Sequence, residues 1–471
     1  MYLWAKALIV LLIGFPLCYS GQSYANGTSI EDPSPPEYKY VLDWTLPMYE
    51  QGLSPVYFVS HPIFVNSRSD VYYSVPITVA SGDTYFIGHA NKDMDTRSIF
   101  VVDHNGKVKW RYTPPGKLSA TIHPFVDPEG NVYLLVPPAM GNERNYKAIS
   151  LSNTGKIRWS TAIDALVAYD FMLTSSNKEL IFASLDKNLS LSAATGKIQP
   201  LPKELAVPKY FATESKSYYL FLDNRNKQTV YEVYNTQRKL LYKVKADYKD
   251  PNPTRAKTSL RIMDDGSLLI FSHYYDDTTL KKYDQKGNLL WKNTYPKQVL
   301  ETPKLMTRAG YIYLQYEDKA SRTDYLVTLN PANGKEMSKL SFTGYLEQMH
   351  IGSLEAANMP ASRLETRGSN NMAAPADLNL YVRGKETGEV RYDMLKLDAE
   401  LKEVDHYALR ENSYLDNSLE STITQAYPGT VSGNFNVLSS NNDSFYVYVH
   451  GKKTADRYLI KAHRELVKTL N

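Results

Sequence analysis

Few residues in this sequence stand at spacings that support chemistry. Asn91, Asp93 and Asp95 alternate oxygen-bearing side chains, the pattern with which a loop wraps calcium. Thr96 stands where such a loop needs its turn glycine and no Glu closes it, so a solvated polar loop is the expectation. His273-Tyr274-Tyr275-Asp276-Asp277 sets tyrosines beside carboxylates, as a sugar or peptide contact would, but again reads as a plain loop. Gly-Lys pairs at Gly106, Gly155, Gly196 and Gly334 lack the preceding glycine and the following Ser or Thr of a phosphate loop. There is no Gly-x-Ser-x-Gly elbow, and the nine histidines are scattered without the i, i+4 pairing of a zinc helix. No catalytic residues and no metal ligands are assigned.

The N-terminus carries an address. Lys6 precedes an apolar run, Ala7 to Leu17, too short to span a bilayer and suited to a signal peptide. Cleavage fits after Ser20 or after Ala25; the second is preferred, giving residues 1–25 as signal peptide. Cys18, the sole cysteine, would leave with it; Leu17 before it argues against a lipoprotein. Residues 26–37, ending in Glu31-Asp32-Pro33-Ser34-Pro35-Pro36-Glu37, read as a stiff linker, and 38–471 as one domain. The expectation is an exported, monomeric protein with no transmembrane segment in its mature chain. Net charge is +4, with 54 basic and 50 acidic residues spread along the chain, so no basic block points to a nucleic acid.

Composition points to sheet. Tyr occurs 38 times and Phe 14 times, residues that fill a pleated surface well. One figure recurs: an apolar strand, a tight polar turn with glycine, then a strand with Trp four residues later. It appears at Gly106 and Trp110, at Gly155 and Trp159, and at Gly287 and Trp291. Weaker copies turn at Gly196 and Gly334, and degraded ones near Gln237, Glu400 and Arg464. Successive turns are 49, 41, 41, 50, 47, 66 and 64 residues apart, and the first five match the ~40–50 residues of a four-stranded propeller blade. The fold class is therefore all-β, an eight-bladed propeller of four-stranded antiparallel blades, with seven blades as the alternative. Tyr40–Pro47 reads as an isolated last strand that completes the final blade and clasps the ring; a strand near Leu466–Leu470 competes for that place.

At these turn-plus-Trp segments the sequence resembles the quinoprotein-type, or pyrroloquinoline-quinone-like, β-propellers. The resemblance spans roughly residues 75–470 and is strongest in the three units ending at Trp110, Trp159 and Trp291. It implies that Gly106, Trp110, Gly155, Trp159, Gly287 and Trp291 dock blades on one another. Dehydrogenases of that family use a cysteine pair, calcium and a catalytic Asp; a mature chain without Cys18 has no such pair. The reading preferred is a non-catalytic binding or scaffolding module for a protein or cell-surface polymer, with no cofactor. The alternative is a dehydrogenase using pyrroloquinoline quinone and calcium.

Loop length indicates where a partner would bind. Long connections at 48–72, 346–377 and 407–435 precede the first, seventh and eighth units, and are expected to crowd one face. Gly352–Ala357 reads as partly helical.

Overall fold

The computed structural model describes residues 38–467, apart from connecting stretches of which the longest are 55–62, 115–124, 137–145, 247–256, 296–303, 352–377 and 409–417. The expected signal peptide and linker, residues 1–37, lie outside the described residues, as do 468–471 of the competing strand read near Leu466–Leu470, whose Leu466 instead ends the strand Arg457–Leu466. Tyr38–Glu465 forms one compact unit.

The chain is mostly β. Among the described residues, seven four-stranded sheets and one five-stranded sheet follow one another, with a separate pair of two-residue strands. We number the sheets I to VIII in chain order and the strands of each a to d. Sheet II shows the pattern: Phe125–Val126, Val132–Val136, Tyr146–Leu151 and Ile157–Ile163 pair as an antiparallel meander. All five residues of Val132–Val136 are buried, because neighbouring sheets cover both faces. The d strands alternate instead, as in Leu240–Lys245 of sheet IV, where Tyr242 and Val244 are buried and Leu241, Lys243 and Lys245 exposed.

Sheet VIII is made from both ends of the chain. Thr430–Asn441, Ser444–Gly451 and Arg457–Leu466 supply a, b and c, and Tyr38–Pro47 pairs beside Arg457–Leu466 as d. The turn read near Arg464 is therefore corrected: Arg464 lies inside strand c, and the N-terminal strand takes the place that a turn and a further C-terminal strand would have filled.

Among the described residues, every sheet but VII shares a hydrophobic core with the next. Tyr85 and Val101 of sheet I meet Val132 and Leu134 of sheet II; Trp159 of sheet II meets Leu180 and Phe182 of sheet III. Ile181 of sheet III meets Tyr219 and Phe221 of sheet IV. The succession continues from IV to V, V to VI and VI to VII. Trp44, Leu46 and Tyr446 of sheet VIII pack on Phe86 and Phe100 of sheet I. Between VII and VIII, Arg464 pairs with Asp405 of the strand Glu403–Ala408.

In sheets I, II, IV, V and VIII an aromatic residue of the d strand lies on the c–d turn of the following sheet. A Cβ added to Gly155, at φ +78°, would stand 2.8 Å from the Trp110 ring. The same holds for Gly106 against Trp44 (2.7 Å), Gly196 against Trp159 (2.5 Å) and Gly334 against Trp291 (2.6 Å). The indole N–H donates to the same turn: Trp110 to the Asn153 carbonyl (2.8 Å), Trp159 to Ala193 (2.9 Å), Trp291 to Pro331 (3.1 Å). Tyr242 replaces Trp in sheet IV, 3.2 Å from a Cβ at Gly287, and donates to the Gly266 carbonyl at 2.7 Å. Asp103, Asp284 and Asp398 brace their turns, each accepting two backbone N–H groups through Oδ1.

Gly155 and Gly310 separate two costs. Both have positive φ, but nothing lies within 4 Å of a Cβ at Gly310. Gly310→Ala is expected to lose about 1 kcal/mol, the backbone cost alone. Gly155→Ala is expected to lose roughly 1–3 kcal/mol more by displacing the Trp110 ring. Chemical denaturation of both variants checks this; equal losses would show that the ring contact has no weight.

Candidate functional site

The departures from the repeat gather in sheets VII, VIII and I, which the placement of Tyr38–Pro47 makes consecutive. Their geometry differs from the expectation of three loops on one face. The stretch 48–72 is not one loop. Met48–Gln51 forms a short turn, held by the Met48 N–H on the Arg457 carbonyl at 2.9 Å. Leu53–Ser54 then pairs with His89 and Ala90 of strand b in sheet I. The chain leaves and returns to pair Ile77–Thr78 with Tyr85 and Thr84 of the same strand. In that antiparallel register only Phe86, Ile87 and Gly88 lie between the two pairings, so three residues would make strand a continuous. Residues 55–76 stand there instead, and within them Ile63–Phe64 pairs with Val71–Tyr72.

The middle stretch is corrected too. Leu346–Ile351 is strand a of sheet VII and pairs with Leu378–Glu386, so 352–377 joins a to b. In a meander that connection leaves from the end that bears the c–d turns, opposite the end of the d-to-a connections. The helix expected at Gly352–Ala357 lies outside the described residues. The third stretch does join d to a, and it contains a helix that the sequence reading missed, Leu419–Ala426. Ser418 caps it, accepting the Ser421 N–H at 3.0 Å. Leu419 and Ile423, on one helix face, are 0% and 1% exposed and pack with Phe445, Val447 and Ile460 of sheet VIII. Tyr427 stacks on Tyr458 and donates to Thr45 at 2.7 Å. Ser418 followed by an i, i+4 apolar pair was the signal available in the sequence.

Polar groups concentrate where the two chain ends meet. His463 Nδ1 lies 2.5 Å from Asp43 and Nε2 3.0 Å from Glu465; Lys39 holds Glu465 at 3.1 Å, and Lys461 stands 3.7 Å from Asp43. Burial opposes the charge on His463, but hydrogen bonds to Glu465 and Asp43 outweigh it and hold its pKa above the ordinary 6.5.

Asp93 and Asp95 lie in the strand Asp93–Val102, where Ala90 pairs with Asp93 and the register shifts between His89 and Ala90; Asn91 lies outside the described residues. His273, Tyr274 and Asp277 likewise sit on a hairpin, where Tyr274 pairs with Asp277. Gly106, Trp110, Gly155, Trp159, Gly287 and Trp291 lie at the junctions between sheets described above. A pocket of about 190 Å³ in sheet IV is lined by Asp223, Gln228, Val230, Glu232, Lys243 and Lys245. Its buried Glu232 already holds Lys243 at 2.7 Å and the Tyr234 hydroxyl at 2.6 Å. Burial, then Glu232, pushes the Tyr234 pKa up. Among the described residues no group of three His, Cys, Asp or Glu is placed to hold a metal, and no helix is long and apolar enough to cross a membrane.

No family model matches the chain, and no curated protein matches it. The similar solved structures are propeller folds. The C-terminal WD40 domain of Sif2 is 9% identical, covering 84% of this chain and 97% of its own, with TM-score 0.43. The WD40 domain of SCAP from fission yeast is 11% identical, covering 83% and 96%, with TM-score 0.41. Dihydro-heme d1 dehydrogenase NirN is 11% identical, covering 91% and 79%, with TM-score 0.41. Likenesses this distant carry no function.

The His463 cluster sets a direction with pH. Its stabilisation is present in full below pH 6.5 and is lost as pH rises through the higher pKa of the folded state. The wild type is expected to lose stability relative to His463→Gln as pH rises above that ordinary value. Denaturation series of both proteins measure it; parallel curves would remove His463 from the junction's energetics.

Proposed function

We propose that the chain is a non-catalytic, exported, closed eight-bladed propeller of quinoprotein type that binds a protein or cell-surface polymer. The shared cores from sheet to sheet, the return of the N-terminal strand to sheet VIII and the recurring Trp-on-Gly junction support the ring. The apolar run ending at Leu17 supports export. In this reading sheets VII, VIII and I are contiguous blades, and the partner meets their departures from the repeat.

One observation carries the binding role: residues 55–76 interrupt strand a of sheet I where three residues would continue it. An insertion that adds nothing to the sheet is retained for what it contacts. The a strands line the channel of a propeller, so this excursion starts at the channel wall. The helix Leu419–Ala426 is fixed to sheet VIII, the blade before it in this reading.

The test exchanges residues 55–76 for Thr-Val-Thr, which restores a continuous strand. The variant is expected to keep the wild-type unfolding midpoint and to lose capture of labelled envelope and secreted components. Deleting Ser353–Ala374, which leaves from the opposite end of its sheet, is expected to keep capture. Full capture by the exchange variant, or loss only in the deletion, would overturn the assignment.

A further inference from the structure

Charges that are dispersed in the sequence are sorted by the fold. From the residue after each left-handed turn position to the end of strand d, sheets I to VI contribute residues 107–112, 156–163, 197–199, 239–245, 288–295 and 335–343. These hold twelve Lys and Arg against one acidic residue, Glu336, and all twelve are exposed. The whole chain has a net charge of only +4, so the remainder is net acidic. In sheets VII and VIII the pattern stops: Glu403 and Asp405 accompany Lys402, and Asp43 accompanies Lys39. Each of these d strands ends its sheet.

Lysine on a terminal strand discourages another strand from pairing with it. That role asks for polar neighbours, yet large aliphatic side chains stand exposed among the lysines. Ile157 is 56% exposed, Ile198 57%, Leu289 and Leu290 52%, Met337 50% and Leu241 41%. All six lie two or three residues after a left-handed turn residue, so each is within two residues of the lysine or asparagine that follows the turn.

We propose that the d strands of sheets I to VI form a binding track for a linear anionic polysaccharide. The cations supply attraction by releasing counterions from the polymer. The aliphatic side chains match the apolar C–H faces that sugar rings carry beside their carboxylates, which a polyphosphate lacks. A flat bilayer meets only one arc of a ring's perimeter, whereas a flexible chain follows one blade edge to the next. The inference rests on the ring reading and deepens its polymer arm, but it uses a different surface from residues 55–76.

The experiment titrates the full chain with fluorescent alginate, and in parallel with polyphosphate and phosphatidylglycerol vesicles. Alginate is expected to bind at low salt and weaken steeply as salt rises. Lys156→Gln, Lys197→Gln, Lys239→Gln and Lys335→Gln together are expected to weaken it about tenfold or more and flatten the salt dependence. A control of equal charge, Lys147→Gln, Lys178→Gln, Lys203→Gln and Lys402→Gln, is expected to stay within about twofold of wild type. Leu289→Ser tests the apolar component separately, and is expected to weaken alginate but not polyphosphate. Equal losses in the two quadruple variants, no alginate binding by the wild type, or preference for polyphosphate or vesicles would overturn the proposal. Loss of capture in the 55–76 exchange with alginate binding intact separates this track from the excursion.

Discussion

The arrangement depends on a flat aromatic ring pressed against a residue with no side chain. A left-handed turn residue is needed to join strands c and d, and glycine adopts that conformation freely. Its missing Cβ then leaves the only space in which the preceding sheet's indole fits, under 3 Å from where that atom would be. Two requirements, the turn and the junction, are met by one absence. At Trp110, Trp159 and Trp291 the indole N–H, donated to the same turn, fixes the angle at which the ring arrives.

The junctions that lack this pair show how strict the space is. Sheet III has Pro200 and sheet VI has Ser338 where Trp stands in others, four residues after the left-handed position. The next sheets then place side chains at that position despite its cost: Arg238 at φ 63° and Leu401 at φ 62°. Arg238 donates to the Pro200 carbonyl at 3.0 Å and pairs with Glu179 of sheet III. Leu401, 6% exposed, packs with Tyr313 and Leu326 of sheet VI. The volume vacated by one chain segment is filled by the other, so the strain of a side chain at positive φ is offset by the contact it makes.

This explains which parts were legible in the sequence. Gly106–Trp110, Gly155–Trp159 and Gly287–Trp291 repeat at four residues because backbone geometry and ring size both demand it. Gln237 and Glu400 were recognisable mainly by the strands around them, since the substitutes beside them, Arg238 and Leu401, have unrelated chemistry. Arg464 was misread as a turn because an arginine pairing with Asp405 across a junction leaves no local periodic trace. The excursion was misjudged for a related reason. Strand a of sheet I pairs through two-residue pieces, Leu53–Ser54 and Ile77–Thr78, too short to show alternation, and the pairing that unites them is visible only through strand b.

The end of the basic series also follows from the junction chemistry. In sheets I to V, apart from Pro200 in sheet III, the junction residue of strand d is aromatic, and the neighbouring positions are free to carry Lys or Arg. In sheet VII that position is Asp405, required to hold Arg464, which also lies 3.7 Å from the Tyr38 ring. In sheet VIII Asp43 stands beside Trp44, engaged with His463 and Lys461. The ion pairs of Asp405 with Arg464 and of Asp43 with His463 and Lys461 thus place carboxylates on the d strands of sheets VII and VIII. A polyanion following the edges would meet repulsion there, at the sheets that carry the helix Leu419–Ala426 and lead into residues 55–76. Asp43 and Asp405 thus set the d strands of sheets VII and VIII apart in charge from those of sheets I to VI.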